Sequence, residues 1–97
     1  MYDKENPMYK IEVNAMCGWE PFGHDDYDEP LRYRTMEEAR LDIYESHMCS
    51  LEAIEAGYVK DTPPLSDFRI ILLDIAGNPV VIFSLTDTGT IATATPA

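Results

Sequence analysis

Carboxylates are the groups in this 97-residue chain whose spacing could do chemistry. Asp25, Asp26, Asp28 and Glu29 fall within five consecutive positions of FGHDDYDEPL, with Tyr27 among them. A second set, Glu38, Asp42, Glu45 and Glu52, steps by four, three and seven residues. At about 3.6 residues per turn these intervals return to one narrow stripe of an unbroken helix. Neighbours on such a stripe lie about 5–6 Å apart at Cβ, and at about 1.5 Å per residue the run from Glu38 to Glu52 spans about 21 Å. That scale is comparable to successive phosphates on a nucleic-acid strand. A rigid row of carboxylates can therefore occupy a groove made for phosphates, releasing the partner's counterions and binding more weakly as salt rises. With Glu20 the two sets would widen into a patch. The simpler reading of either set alone is solvation, since surface helices and loops turn charge to water.

Other chemistries find less support. Cys17, His24, His47 and Cys49 are ligand types that tetrahedral zinc accepts. Their spacing contains neither C-x-x-C nor H-x-x-x-H, and on a helix His47 and Cys49 would point in different directions. DDYDE lacks the alternating ligands and central glycine of a calcium loop, since Tyr27 and Pro30 stand where ligand or flexibility is needed. No glycine-rich phosphate loop, G-x-S-x-G or H-E-x-x-H occurs. The expectation is a protein with no catalytic residues, no metal and no cofactor. Acids rather than bases flank Tyr27, Trp19 and Phe22, which argues against base stacking and for a protein-binding tip in which Tyr27 adds contact area. Trp19 and Phe22 read as anchors that pin their loop to the body.

The charge balance agrees with this. Eighteen acids against seven bases give a net charge of −11, which repels nucleic acid and anionic membranes and favours basic partners. Beyond Arg69 there is no base and the only acids are Asp74 and Asp87, so the acidic field belongs to residues 1 to 67. With 45% hydrophobic residues the chain should still fold. MYDKENPMYK has no apolar run of the signal-peptide kind, and Asp74, Gly77, Asn78 and Pro79 interrupt the longest apolar stretch. A cytoplasmic protein with reduced thiols is expected.

The elements that must position these acids read as one domain over 8–85, between a flexible lead at 1–7 and a flexible tail at 86–97. MYKIEVNA alternates as a half-buried strand with Tyr9, Ile11, Val13 and Ala15 on its inner face. LRYR is a short strand candidate. TMEE predicts a capping box at Thr35 and Glu38, opening a helix to about His47. A further helical stretch over 50–56 closes at Gly57, and Ser50 leaves open whether the two are one helix. Met36, Ala39, Ile43, Tyr44, Met48, Leu51 and Ile54 keep helical spacing and should face a sheet. FRIILLDI and VVIFSL, joined by AGNP, read as a hairpin. The fold class expected is α+β: a three- to four-stranded, mostly antiparallel sheet with a helix or broken helix pair packed on one face. The other face, with Arg69, Ile71, Leu73 and Ile82, is too apolar to stay wholly wet.

The order YKIEV, GWEPF, an acidic loop, LRYRTMEEAR, SLEAIEAGYVKD and DFRIILLD resembles small uncharacterised α/β proteins of phages, prophages and mobile elements. In size and charge the chain also resembles acidic anti-CRISPR and anti-restriction proteins that mimic DNA. That resemblance implies an inhibitor of a host defence complex, with the basic surface of a nucleic-acid-binding protein complex as partner and no direct contact with nucleic acid or membrane. The expected contact residues are Asp25, Asp26, Tyr27, Asp28, Glu29, Glu38, Asp42, Glu45 and Glu52. The alternative is a passive accessory protein, homodimeric through its sheet.

Overall fold

The computed structural model describes residues 8–15, 18–22, 32–58 and 60–97. The lead at 1–7, the loop acids Asp25, Asp26, Asp28 and Glu29 with Tyr27, and Cys17 and His24 lie outside the described residues. The elements run β1 (Met8–Ala15), β2 (Gly18–Pro21), α1 (Met36–Glu55), a single 3-10 turn (Leu65–Asp67), β3 (Phe68–Leu73), β4 (Pro79–Leu85) and β5 (Ile91–Pro96). The five strands form one sheet in the order β2-β1-β3-β4-β5, antiparallel throughout. The fold is α+β, with more strands than the sequence predicts.

The extra strands are β2 and β5. GWEP, read from sequence as loop, pairs with β1 through Val13↔Glu20 and Asn14↔Trp19. Ile91–Pro96 falls in the stretch expected to fray, yet it pairs with β4 from Val81↔Pro96 to Leu85↔Ile91. The Thr and Ile of IATATP suit a pleated strand, and the preceding turn is built to return it: Thr86 N–H donates to Thr90 O at 2.8 Å and Gly89 N–H to Thr86 O at 2.9 Å. LRYR yields no strand among its described residues. Tyr33 makes an isolated bridge to Tyr9, each N–H donating to the other's carbonyl at 2.8 Å. The expected β3–β4 hairpin forms around Asp74, whose side chain accepts from Asn78 N–H at 2.8 Å, with Gly77 at φ +88° closing the turn.

α1 is one unbroken helix of 20 residues, which settles the question Ser50 left open. Ser50 lies mid-helix and donates its hydroxyl to Ser46 O at 3.1 Å, the alternative use of such a side chain. Thr35 caps the N-terminus by accepting from Glu38 N–H at 3.1 Å. Glu38 reaches back as the capping box requires, but to Arg34 N–H at 3.3 Å, one residue beyond the cap. At the other end Gly57, with φ +83°, donates to Ile54 O and Tyr58 to Ala53 O, the Schellman closure expected of a C′ glycine.

Packing follows the register. Tyr9, Ile11 and Val13 of β1 share a sheet face with Phe68 and Ile70 of β3 and Phe83 and Leu85 of β4. Ala39 and Ile43 of α1 bury completely against it, joined by Leu65 from the 3-10 turn. Phe22 meets Phe68 edge-on at 5.1 Å between centroids, as an anchor should. Met36 and Tyr44 pack on this core as predicted, but Met48 and Leu51 are exposed. At about 100° per residue, Met48 lies about 140° around the helix from Ile43, too far to reach the sheet.

The opposite sheet face is mixed. Met8, Ile71 and Leu73 are buried there, as its apolar content predicts. Among the polar outer positions of β1, Glu12 is only 9% exposed. Arg69 offsets that burial by donating from both Nε and Nη2 to Glu12 Oε1, at 2.8 and 2.6 Å. Lys10 adds an ion pair at 3.4 Å. The Arg69 guanidinium also stacks over Trp19, 4.3 Å from the ring centroid. Trp19 therefore anchors β2 to this face rather than to the helix side.

Candidate functional site

The unbroken helix carries Glu38, Asp42, Glu45 and Glu52 along one stripe, as the spacing predicts. Glu38, Glu45 and Glu52 are exposed, and Asp42 is half-buried at the edge of the stripe. The stripe points away from the Ala39 and Ile43 side that meets the sheet. Its two first members also serve the fold. Glu38 holds the N-terminal turn through Arg34 N–H. Asp42 accepts a hydrogen bond from the Tyr33 hydroxyl. Burial pushes the Tyr33 hydroxyl's pKa well above its ordinary value, and the Asp42 hydrogen bond and negative charge add to the rise. Tyr33 stays a neutral donor and holds the Asp42 carboxyl in a fixed position.

Together Tyr33, Glu38, Leu41, Asp42 and Glu45 line a shallow open groove of about 380 Å³. Leu41, at 58% exposed, and Met48, at 55%, set apolar side chains among the carboxylates. The sequence reading missed this apolar component by assigning Met48 to the core. A helical wheel centred on Ile43 identifies both residues, since Leu41 and Met48 lie about 160° and 140° from it.

Arg40 is directed away from the stripe. Arg40 donates from Nε to Gly89 O at 3.2 Å, toward the β4–β5 turn. Among the described residues the ion pairs within 4 Å both belong to Glu12, on the sheet face away from the helix. The Trp19, Arg69, Glu12 and Lys10 cluster is thus separate from the acidic helix face, with the sheet between them.

No protein-family model, no curated protein and no solved structure matches the chain. The site therefore rests on its own geometry.

The metal-ligand set does not assemble where it can be followed. Among the described residues, Cys49 is a free, exposed thiol, while His47, two residues before it, has a buried Nδ1 without a hydrogen-bond partner. The helix turns them apart, as expected for positions two apart. Among the described residues no three His, Cys, Asp or Glu side chains are grouped to hold a metal ion. No described helix is long and apolar enough to cross a membrane.

Proposed function

We propose that this chain is a non-catalytic protein-binding domain whose acidic helix face occupies a basic, phosphate-recognising surface of a nucleic-acid-binding complex and excludes nucleic acid from it. In its most concrete form the partner is a defence complex of a bacterial host, in keeping with the likeness to mobile-element proteins. The observation that carries this reading is the single α1 helix with Glu38, Asp42, Glu45 and Glu52 on one outward stripe. A stiff helix holds the carboxylates at fixed intervals, so a row of lysines or arginines can meet them together. The bond from Tyr33 to Asp42 supports this, because it fixes the position of one acid of the stripe. Leu41 and Met48 add apolar area that a protein surface can cover, whereas a nucleic-acid strand offers nothing comparable to match it. Asp25, Asp26, Asp28, Glu29 and Tyr27 extend the proposed contact from the loop before the helix.

Affinity capture from a bacterial lysate, with and without duplex DNA as competitor, tests the reading. It expects a nucleic-acid-binding complex that DNA displaces and that rising salt releases. The double variant Glu45→Lys with Glu52→Lys, which alters only exposed positions, should lose the complex while keeping its circular dichroism. Capture by the folded double variant at wild-type level would overturn the proposal.

A further inference from the structure

α1 carries a second pattern beside its acidic stripe. Leu41, Tyr44, Met48 and Leu51 step by three, four and three residues. At about 100° per residue they fall within an arc of about 80°, centred about 120° around the helix from Ile43. Leu41, Met48 and Leu51 are exposed. Tyr44 is half-buried, with its hydroxyl donating to Thr88 O, so it forms a fixed edge of the strip beside the β4–β5 turn. Alternating steps of three and four are the a and d positions of a heptad, the seam along which two helices pack. With Leu41 and Met48 at a and Tyr44 and Leu51 at d, the next seam positions on either side are Glu37 and Glu55.

The same register sorts the charges. Glu38, Glu45 and Glu52 all fall at e, an acidic row along one flank of the seam. The other flank, at g, holds Arg40, His47 and Ile54 and no acid. Arg40 donates to Gly89 O and is turned toward the β4–β5 turn. At about 1.5 Å per residue the seam from Leu41 to Leu51 is about 15 Å long, or about three turns. Apolar residues on a solvated surface are ordinarily scattered singly, whereas these form one strip with Glu at both ends and along one side.

We propose that this seam docks an amphipathic helix of a partner protein, apolar at its own a and d positions and carrying lysines or arginines in the flanking row that meets Glu38, Glu45 and Glu52. The proposal deepens the acidic-face reading and rests on it for the partner's basic character. Spacing selects a helix, because side chains at steps of three and four fit the holes of another helix, whereas an extended strand presents them every two residues. Charge selects a basic one, since carboxylates at seven-residue intervals are matched by bases at the same interval. Charge also excludes a second copy. In an antiparallel pair the two e rows would face each other, Glu against Glu. In a parallel pair Glu37 would meet Glu37 and Glu55 would meet Glu55 within the seam.

Calorimetric titration with a synthetic peptide of about three heptads, with Leu at a and d and Lys at e and g, tests it. The peptide should bind the folded chain and gain helical circular dichroism on mixing. A peptide of the same composition in scrambled order, which keeps the charge and loses the seam, should bind at least about tenfold more weakly. Met48→Gln with Leu51→Gln, both at exposed positions, should stay folded and weaken the ordered peptide by at least about tenfold. In the unaltered protein the Met48 methyl resonance should shift on peptide addition, a readout that needs no variant. Equal binding of the two peptides, wild-type affinity in the folded variant, or a Met48 methyl that ignores the peptide overturns the proposal. Lysate capture separates it from the acidic-face reading. If folded Met48→Gln with Leu51→Gln captures the DNA-displaced complex at wild-type level, the seam falls and the acidic face stands. If the ordered peptide binds the seam but no DNA-displaced complex is captured, exclusion of nucleic acid falls and the seam stands.

Discussion

Gly89 lies against the hydroxyl end of Tyr44: a Cβ built on Gly89 would stand 2.6 Å from Tyr44 Cζ. Tyr44 in turn donates its hydroxyl to Thr88 O, and Arg40 donates to Gly89 O. The turn between β4 and β5 is thereby fastened to the outer flank of α1, which fixes the helix across the sheet.

Replacing Gly89 by alanine should therefore cost more than backbone strain. Gly89 has φ +83°, a conformation that costs an L residue about 1–3 kcal/mol. Gly77 has φ +88° but open space around its missing Cβ. Urea denaturation should show Gly77→Ala losing about 1 kcal/mol and Gly89→Ala losing more, because Tyr44 must also move. Equal losses in the two variants would contradict the close approach of Tyr44.

Core and surface positions of similar chemistry should respond differently. Ile70 has no exposed surface and sits at the centre of the sheet face that α1 covers. Ile70→Ala should destabilise by about 2–5 kcal/mol through lost burial and a residual cavity. Met48→Ala, on the outward helix face, should stay within about 0.5 kcal/mol of wild type. Thermal denaturation of the two variants checks the rotational setting of α1, since a helix turned to bury Met48 would give that variant a large loss.

Glu12 is tied to Arg69 and Lys10 on the drier side of the sheet. Arg69→Met keeps the aliphatic stem but leaves Glu12 with only the longer Lys10 contact. The partial exposure of both side chains moderates the effect, and a loss of about 1–3 kcal/mol is expected. The same substitution removes the cation from above Trp19, the chain's one tryptophan. A change in intrinsic fluorescence of the still-folded protein should accompany the loss of stability.

Tyr33 gives the fold an alkaline limit. Its folded pKa is raised by burial first and by Asp42 second. Its contribution to stability is fully present below the unfolded tyrosine value of about 10. Above that, the unfolded chain releases the proton more readily, so the contribution declines as pH rises toward the folded pKa. Tyr33→Phe should cost about 1 kcal/mol near neutrality through the lost hydrogen bond, and its deficit relative to wild type should shrink above about pH 10. Denaturation of both proteins across that range checks the sign, and a deficit that grows with pH would refute it.

Local signals carried far. Alternation placed β1 at its observed ends, because a strand with one covered face must repeat every two residues. Thr35 and Gly57 marked the helix ends because capping is a contact among neighbours in sequence. Failures arose where the deciding contact was remote. GWEP is a strand because β1 lies beside it and Arg69 stacks on Trp19. IATATP is a strand because β4 offers its free edge and Tyr44 and Arg40 brace the turn.

The acids divide along the same line. Their spacing along α1, and hence a single stripe, followed from the sequence alone once the helix was continuous, since helical pitch is a property of the backbone. Which members stand free and which hold the fold was decided by tertiary structure. Tyr33 reaches Asp42 only because its backbone bridges to Tyr9 at the sheet edge. Met48 became part of the surface because the sheet contacts only the side of α1 that carries Ala39 and Ile43. Periodicity states which residues share a face of a helix, and only the packing of that helix determines which face is buried.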